Sequence, residues 1–219
     1  GTKGFIDSRL DVYGGPFLER YSLAMADGAA MKELMGTYRL DYAVISYRLE
    51  DGAGAVSALS DNPEWALVHY DDIAMVYLKR EPRWSGVIEQ DEYRFTNPGG
   101  FLAGDLTFSG HPTEALAETR RALARSPGSP LIRLMQGTAF SALGRHREAV
   151  SAIEEAAVHL EADAGGRDLL YGLLGTSYME LRDDGRAEKA FEELLRISPG
   201  SVYGRRMLQE IHSRRRGRD

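Results

Sequence analysis

The sequence predicts a two-part chain: a small α/β domain with a mixed sheet of about four strands, then an all-α superhelical solenoid. Three observations carry this. In the second half a spacing recurs: Gly137 and Ala149 stand twelve residues apart, as do Gly175 and Ala187, and Ile153 and Phe191 each follow four residues later. Pro127 and Pro199 fall just after the predicted second helices, where a residue without an N–H ends helix propagation. In the first half, short β-branched and aromatic runs alternate with helical spacings, the pattern of an α/β unit.

Taken in order, Lys3 to Arg9 reads as a short strand. Gly14-Gly-Pro16 breaks the chain, and Phe17, Tyr21 and Met25 then fall on one helical stripe. Asp27-Gly28 interrupts before a second helix from Ala29 towards Tyr38. Tyr42 to Arg48 is strand-like, Gly52 to Leu59 is a short helix, and Asp61-Asn-Pro63 stops it. Two strands follow, Trp65–Tyr70 and Ile73–Leu78, with Asp71-Asp72 marking a tight hairpin. The first three strands are expected to run parallel through right-handed crossovers, and the last to add antiparallel. Trp84 to Asn97 reads as irregular, pinned to a domain by Trp84, Val87 and Tyr93. The expected boundaries are therefore 1–83 for the α/β domain, 84–95 for a connector, 96–201 for three helical hairpins, and 202–219 for a capping helix and basic tail.

Aligning Ala115, Ala149 and Ala187 gives spacings of 34 and 38 residues, the second carrying Asp163-Ala-Gly-Gly166 as an insertion. Gly137, Gly175 and the alanines belong where paired helices approach closely, and Phe140, Tyr178 and Phe191 fill the space between hairpins. A single hairpin cannot bury its apolar stripe, so the stacked array is the stable unit. This pattern resembles the tetratricopeptide repeat family, with departures at Arg133 and Gln136 where apolar or aromatic residues are usual. The earliest copy is the weakest, because Phe101 to Phe108 contains Gly104 and lacks strong apolar periodicity.

The resemblance implies a protein or peptide partner on the concave face lined by each hairpin's first helix. By register that face comprises Leu131, Leu134, Thr138 and Ser141 beside Leu169, Gly172, Thr176 and Met179, with Arg205 and Arg206 on the closing helix adding positive charge. It suits an extended or helical segment held by apolar contact. The competing reading packs Leu131, Leu134 and Leu169 inside the solenoid and leaves no groove.

Phe5-Ile-Asp-Ser-Arg-Leu-Asp-Val-Tyr-Gly14 and the later pair Trp65 to Tyr77 resemble, over roughly residues 4–80, the extracytoplasmic region after the membrane helices of bacterial membrane glycosyltransferase-like proteins of the oligosaccharyltransferase and mannosyltransferase type. That resemblance implies a periplasmic location and a membrane connection through upstream segments; without it a cytoplasmic adaptor is expected. Catalytic acids of such enzymes lie between membrane helices, so no catalytic residue is assigned. An opening Gly-Thr-Lys without Met is expected of a segment cut from a longer protein.

Alternation along an extended chain puts Asp7, Arg9, Asp11 and Tyr13 on one side, either as a polar ligand site at a strand end or as an ion pair bracing the turn at Gly14-Gly15. Composition bounds the remainder. The charge of −6 lies in residues 1–95, with 10 basic against 16 acidic residues, which argues against a nucleic-acid partner there. The run Arg214-Arg-Arg-Gly-Arg218 is expected to be a solvated, frayed end. No Cys is present, the five His residues show no metal-ligand spacing, and no phosphate loop, dinucleotide fingerprint or nucleophile elbow occurs. No cofactor and no metal are expected, and the chain is expected to be non-catalytic.

Overall fold

Pro16 sits in the first turn of α1 (Gly15–Ala26), where its missing N–H costs nothing and its fixed φ suits the helix. Asp27 both ends α1 and starts α2 (Gly28–Thr37): its backbone turns extended and its carboxylate accepts from the Ala30 N–H at 2.7 Å. This is a computed structural model, which describes residues 13–46, 52–160 and 166–216. The chain divides into two compact units, residues 1–99 and 100–219.

In the first unit, β1 (Tyr42–Ser46) leads into α3 (Ala53–Ser60), then β2 (Trp65–Tyr70) and β3 (Ala74–Lys79). Asp71 makes the hairpin: its Oδ1 accepts from the N–H groups of Ile73 and Ala74 at 2.8 and 2.9 Å. Among the described residues the sheet has three strands in the order β1-β3-β2, and both pairings are antiparallel. This corrects the expected parallel arrangement of β1 and β2 as sheet neighbours. β1 and β2 do run in the same sense, but β3 folds back from the hairpin into the slot between them and takes the ladder on both sides. The predicted strand at Lys3–Arg9 lies outside the described residues.

Alternation along β2 and β3 sends side chains to two faces, with the register shifting at a bulge between Leu67 and His69. Ala66, Val68 and Leu78 pack with Ile88 on one face, joined by half-buried Tyr42, Val76 and Trp84. On β3, Tyr77 is buried and its hydroxyl reaches Ser60 Oγ at the end of α3 at 2.8 Å.

The expected irregular connector is ordered. A 3-10 turn (Pro82–Trp84) opens into α4 (Ser85–Asp91), whose Ile88 is buried against the sheet. Tyr93 N–H then donates to Leu67 C=O at 2.7 Å, its ring meets Tyr70 edge-on at 4.7 Å, and Tyr70 donates to Thr96 Oγ1 at 3.0 Å. Trp84 and Tyr93 do pin this stretch; Val87 is 41% exposed and does not. Sequence periodicity missed α4 because seven residues are too few to display a stripe.

In the second unit a short α5 (Pro98–Leu102) and a 3-10 turn (Phe108–Gly110) precede α6 (Pro112–Arg125). Two full hairpins follow, α7–α8 (Pro130–Ala142, His146–His159) and α9–α10 (Arg167–Glu180, Asp184–Ile197), closed by α11 (Val202–Arg216). Three hairpins were expected; the first lacks its opening helix, with Gly104, Phe108 and Ser109 all at positive φ, a backbone that cannot continue a right-handed helix.

The repeat register survives even there. Five residues before each of Ala115, Ala149 and Ala187 stands a residue at positive φ: Gly110, Gly144 and Arg182. After Gly144 and Arg182 the next N–H turns back to a carbonyl of the preceding helix, Arg145 to Phe140 and Asp183 to Tyr178, each at 2.9 Å. Ser129 and Asp183 cap α7 and α10, accepting from the N–H groups of Ile132 and Arg186.

Close approach inside each hairpin explains the helical glycines. A Cβ on Gly137 would lie 2.5 Å from Ile153 Cγ1, and one on Gly175 would lie 2.6 Å from Phe191 Cζ. Ala149, Ile153, Ala187 and Phe191 are fully buried. Successive hairpins are joined by Tyr178, which donates to Glu154 Oε1 at 2.5 Å; burial first, then that carboxylate, pushes its phenol up to about 12. The final helix is fastened by Glu188, whose two oxygens take His212 Nε2 and Arg215 Nη1, each at 2.7 Å. The basic end through Arg216 is therefore helical and its Arg215 engaged, where a frayed, solvated run was expected.

Gly137→Leu and Gly175→Leu should each force a hairpin apart, costing roughly 1–3 kcal/mol or more; thermal melts at unchanged temperature would refute the close packing. In the first unit, burial works to raise the Glu92 carboxyl, but the hydrogen bonds and charges of Arg80 and Arg94 prevail and hold it below the usual carboxylate range. A folded pKa below the unfolded one adds stability above the unfolded pKa, lost as pH falls through the folded value. Glu92→Gln should therefore melt lower than the parent near pH 7, by on the order of 1 kcal/mol, with the gap closing below about pH 4.

Candidate functional site

Positions 169, 172 and 176 follow the three- and four-residue steps that put side chains on one helical face, and in α9 that face is half-open. Leu169, Gly172 and Thr176 line a groove of about 540 Å³ together with Leu173, Ser201 and Tyr203. Its other wall comes from the segment that replaces the missing helix, through Phe101, Leu102 and Leu106. Phe101 and Phe108 are buried and stack at 6.1 Å, holding that segment, while Leu102 remains 41% exposed.

The polar content is small and sharply arranged. Thr176 Oγ1 donates to the Gly172 carbonyl at 2.8 Å, which uses its proton. Tyr203 OH lies 2.6 Å from the same oxygen, so the phenol is the donor in that contact. Asp168 is the one charged side chain among the described lining residues. The expected positive charge is absent from the lining: Arg205 donates to the carbonyls of Pro199 and Gly200, and Arg206 is exposed on α11 outside it.

The predicted contact residues divide. Leu169, Gly172 and Thr176 come together in the groove. Leu131, Leu134, Thr138 and Met179 are buried at 4, 1, 5 and 5% exposure, Thr138 bonded back to the Leu134 carbonyl. Ser141 is half-buried on α7 and lies outside the groove lining. Tyr203 was missed, although the 34-residue period that pairs Arg206 with Gly172 also pairs Tyr203 with Leu169. Phe101, Leu102 and Leu106 carried no signal, since a regular helix was expected there.

In the first unit, a separate groove of about 840 Å³ is lined by Tyr13, Phe17, Tyr21, Met35 and Tyr42, among others. Tyr13 stacks on Phe17 at 5.4 Å. Asp7, Arg9 and Asp11, the other members of the predicted polar site, lie outside the described residues. Among the described residues no cluster of His, Asp and Glu could hold a metal ion, and no helix is long and apolar enough to cross a membrane.

Burial separates the two groups of predicted contacts experimentally. Leu134→Glu should cost several kcal/mol, because it places a carboxylate in an apolar interior. Leu169→Glu, at a half-open position, should shift stability by less than about 1 kcal/mol. Chemical denaturation of the two variants checks this, and equal losses would place Leu169 in the core.

The tetratricopeptide repeat family model matches residues 170–201, which span most of α9, all of α10 and the Pro-Gly turn beyond. A search of curated proteins gives no match. Among solved structures, the Sgt2 TPR domain from Aspergillus fumigatus is similar at 22% identity and a TM-score of 0.45, covering 54% of this chain and 80% of that one. The second TPR domain of human RPAP3, solved in complex with an HSP70 peptide, is similar at 20% identity and a TM-score of 0.44, covering 52% and 88%. The stretch matched by the family is the hairpin whose first helix carries the floor of the groove.

Proposed function

We propose that the chain is a non-catalytic docking module that holds a polypeptide segment of a partner in the groove of its helical unit. The groove itself carries this reading: about 540 Å³ of largely apolar space at the inner positions of the α9–α10 repeat. Such a site holds a segment by burying a few large side chains, and a handful of anchors supplies most of the affinity. The groove-lining side chains are mostly aliphatic and aromatic, which favours binding over bond-making chemistry.

The finer form of the proposal places this module on the extracytoplasmic side of a bacterial membrane, as the C-terminal part of a glycosyltransferase-like protein presenting a polypeptide near its membrane-embedded centre. The resemblance of Phe5 to Gly14 and Trp65 to Tyr77 supports it. Hydropathy of the gene upstream of Gly1 tests it: several membrane-spanning stretches are expected, and their absence would leave a soluble adaptor.

Peptide display against the immobilised chain tests the docking role directly. Selected peptides should bind the parent and lose at least about tenfold in affinity to Leu169→Glu. They should keep their affinity for Val158→Glu, a change at a position 80% exposed on α8. Retention of binding by the Leu169 variant would move the site elsewhere.

A further inference from the structure

Helical glycines in the second unit have two kinds of surroundings. At Gly137 and Gly175 a neighbouring helix leaves no room, since a Cβ would fall 2.5 Å from Ile153 and 2.6 Å from Phe191, and at Gly204 the fit is tight, with Leu194 at 3.2 Å. Gly172 and Gly185 differ: the nearest atom to a Cβ is Tyr203 Cε1 at 3.9 Å at the first and Asp183 Oδ1 at 3.8 Å at the second, ordinary contact distances, and of the two only Gly172 lines the groove. Glycine within a helix is destabilising relative to alanine, because it loses more freedom on folding. Nothing within the fold repays that loss at Gly172, and the open Cβ position faces the groove.

The polar groups around this bare stretch of helix point one way. Asp168 lines the groove and is the one charged side chain among the described lining residues, while Asp105 lies outside the lining with its Oδ1 bonded to Thr107. Arg167 is turned to the Tyr171 hydroxyl and ring, and Arg205 to backbone carbonyls. Arg206 is exposed on α11 beyond the lining. The groove therefore offers negative charge beside an apolar floor.

We infer, resting on the docking reading above, that the occupant is a segment with a large apolar residue flanked by Lys or Arg. Its apolar side chain packs directly onto the α9 backbone at Gly172. Apolar burial supplies the affinity, and a flanking cation meets Asp168, which selects against acidic segments. Gly172 is then the specificity-determining position: any side chain there takes the space of the incoming one.

The test is fluorescence anisotropy of the full chain with three labelled, end-blocked nonapeptides, each with a central Leu flanked on both sides by Lys, Glu or Ser. The Lys peptide should bind about tenfold tighter than the Glu peptide at low ionic strength, and the difference should shrink in about 0.5 M salt. Gly172→Leu should weaken the Lys peptide about tenfold or more without lowering the melting temperature, and Gly172→Ala should raise that temperature by about 2–4 °C. Asp168→Lys should narrow the preference for the Lys peptide. Equal affinities for the Lys and Glu peptides, or full binding by Gly172→Leu, overturns this inference, while peptides that still bind and are lost in Leu169→Glu leave the docking reading standing. Failure of all three peptides to bind overturns both.

Discussion

Contact without an intervening side chain, Gly137 on Ile153 and Gly175 on Phe191, is the constraint from which the helical unit follows. A helix pair can come this close only where one partner lacks a Cβ, and closeness brings Ala149 and Ala187 into full burial beside it. One hairpin then stacks on the next through Tyr178 and Glu154. The open face of α9 is a by-product: with the hairpin interior committed to residues 175, 187 and 191, the residues a turn away are left to meet something else.

What could be read from the residues were the features enforced locally. Small residues at fixed separation, the Asp27 and Asp71 turns and the stops at Pro127 and Pro199 each act over a few residues, so their spacing reveals them. The position of β3 could not be read that way. Its insertion between β1 and β2 depends on which edge the hairpin folds back to, and the apolar runs of all three strands are compatible with either order. The groove was half legible for the same reason. Leu169, Gly172 and Thr176 follow from helical period alone, whereas Leu131 and Leu134 occupy equivalent positions and are buried. Period assigns a face to a residue; what covers that face is a long-range matter. Phe101 to Leu106 had no period at all, and they supply a wall.

Charge in the first unit shows a similar division between composition and placement. Its acidic excess gives no hint that Glu92 is nearly covered, with 7% of its side chain exposed, and clamped by Arg80 and Arg94. This clamp ties the stretch after α4 to the end of β3, next to the point where Tyr93 joins β2. The ionised carboxylate is thereby a structural group, and the acidic balance of the sequence overstates the charge this unit presents to solvent.

The fastening of α11 has a consequence for time rather than for shape. In a linear array each element leans only on its neighbours, so how long a helix stays docked depends on the bonds that fasten it to the one before. Tyr203 belongs to α11, and it forms part of the groove and holds Thr176 in place. The lifetime of the groove is thus the lifetime of the joint between α10 and α11. Glu188, gripping His212 and Arg215 two turns and more beyond Tyr203, governs how long the groove keeps that wall without ever touching it. The arginine-rich end, where a frayed run was expected, works through Arg215 as a latch.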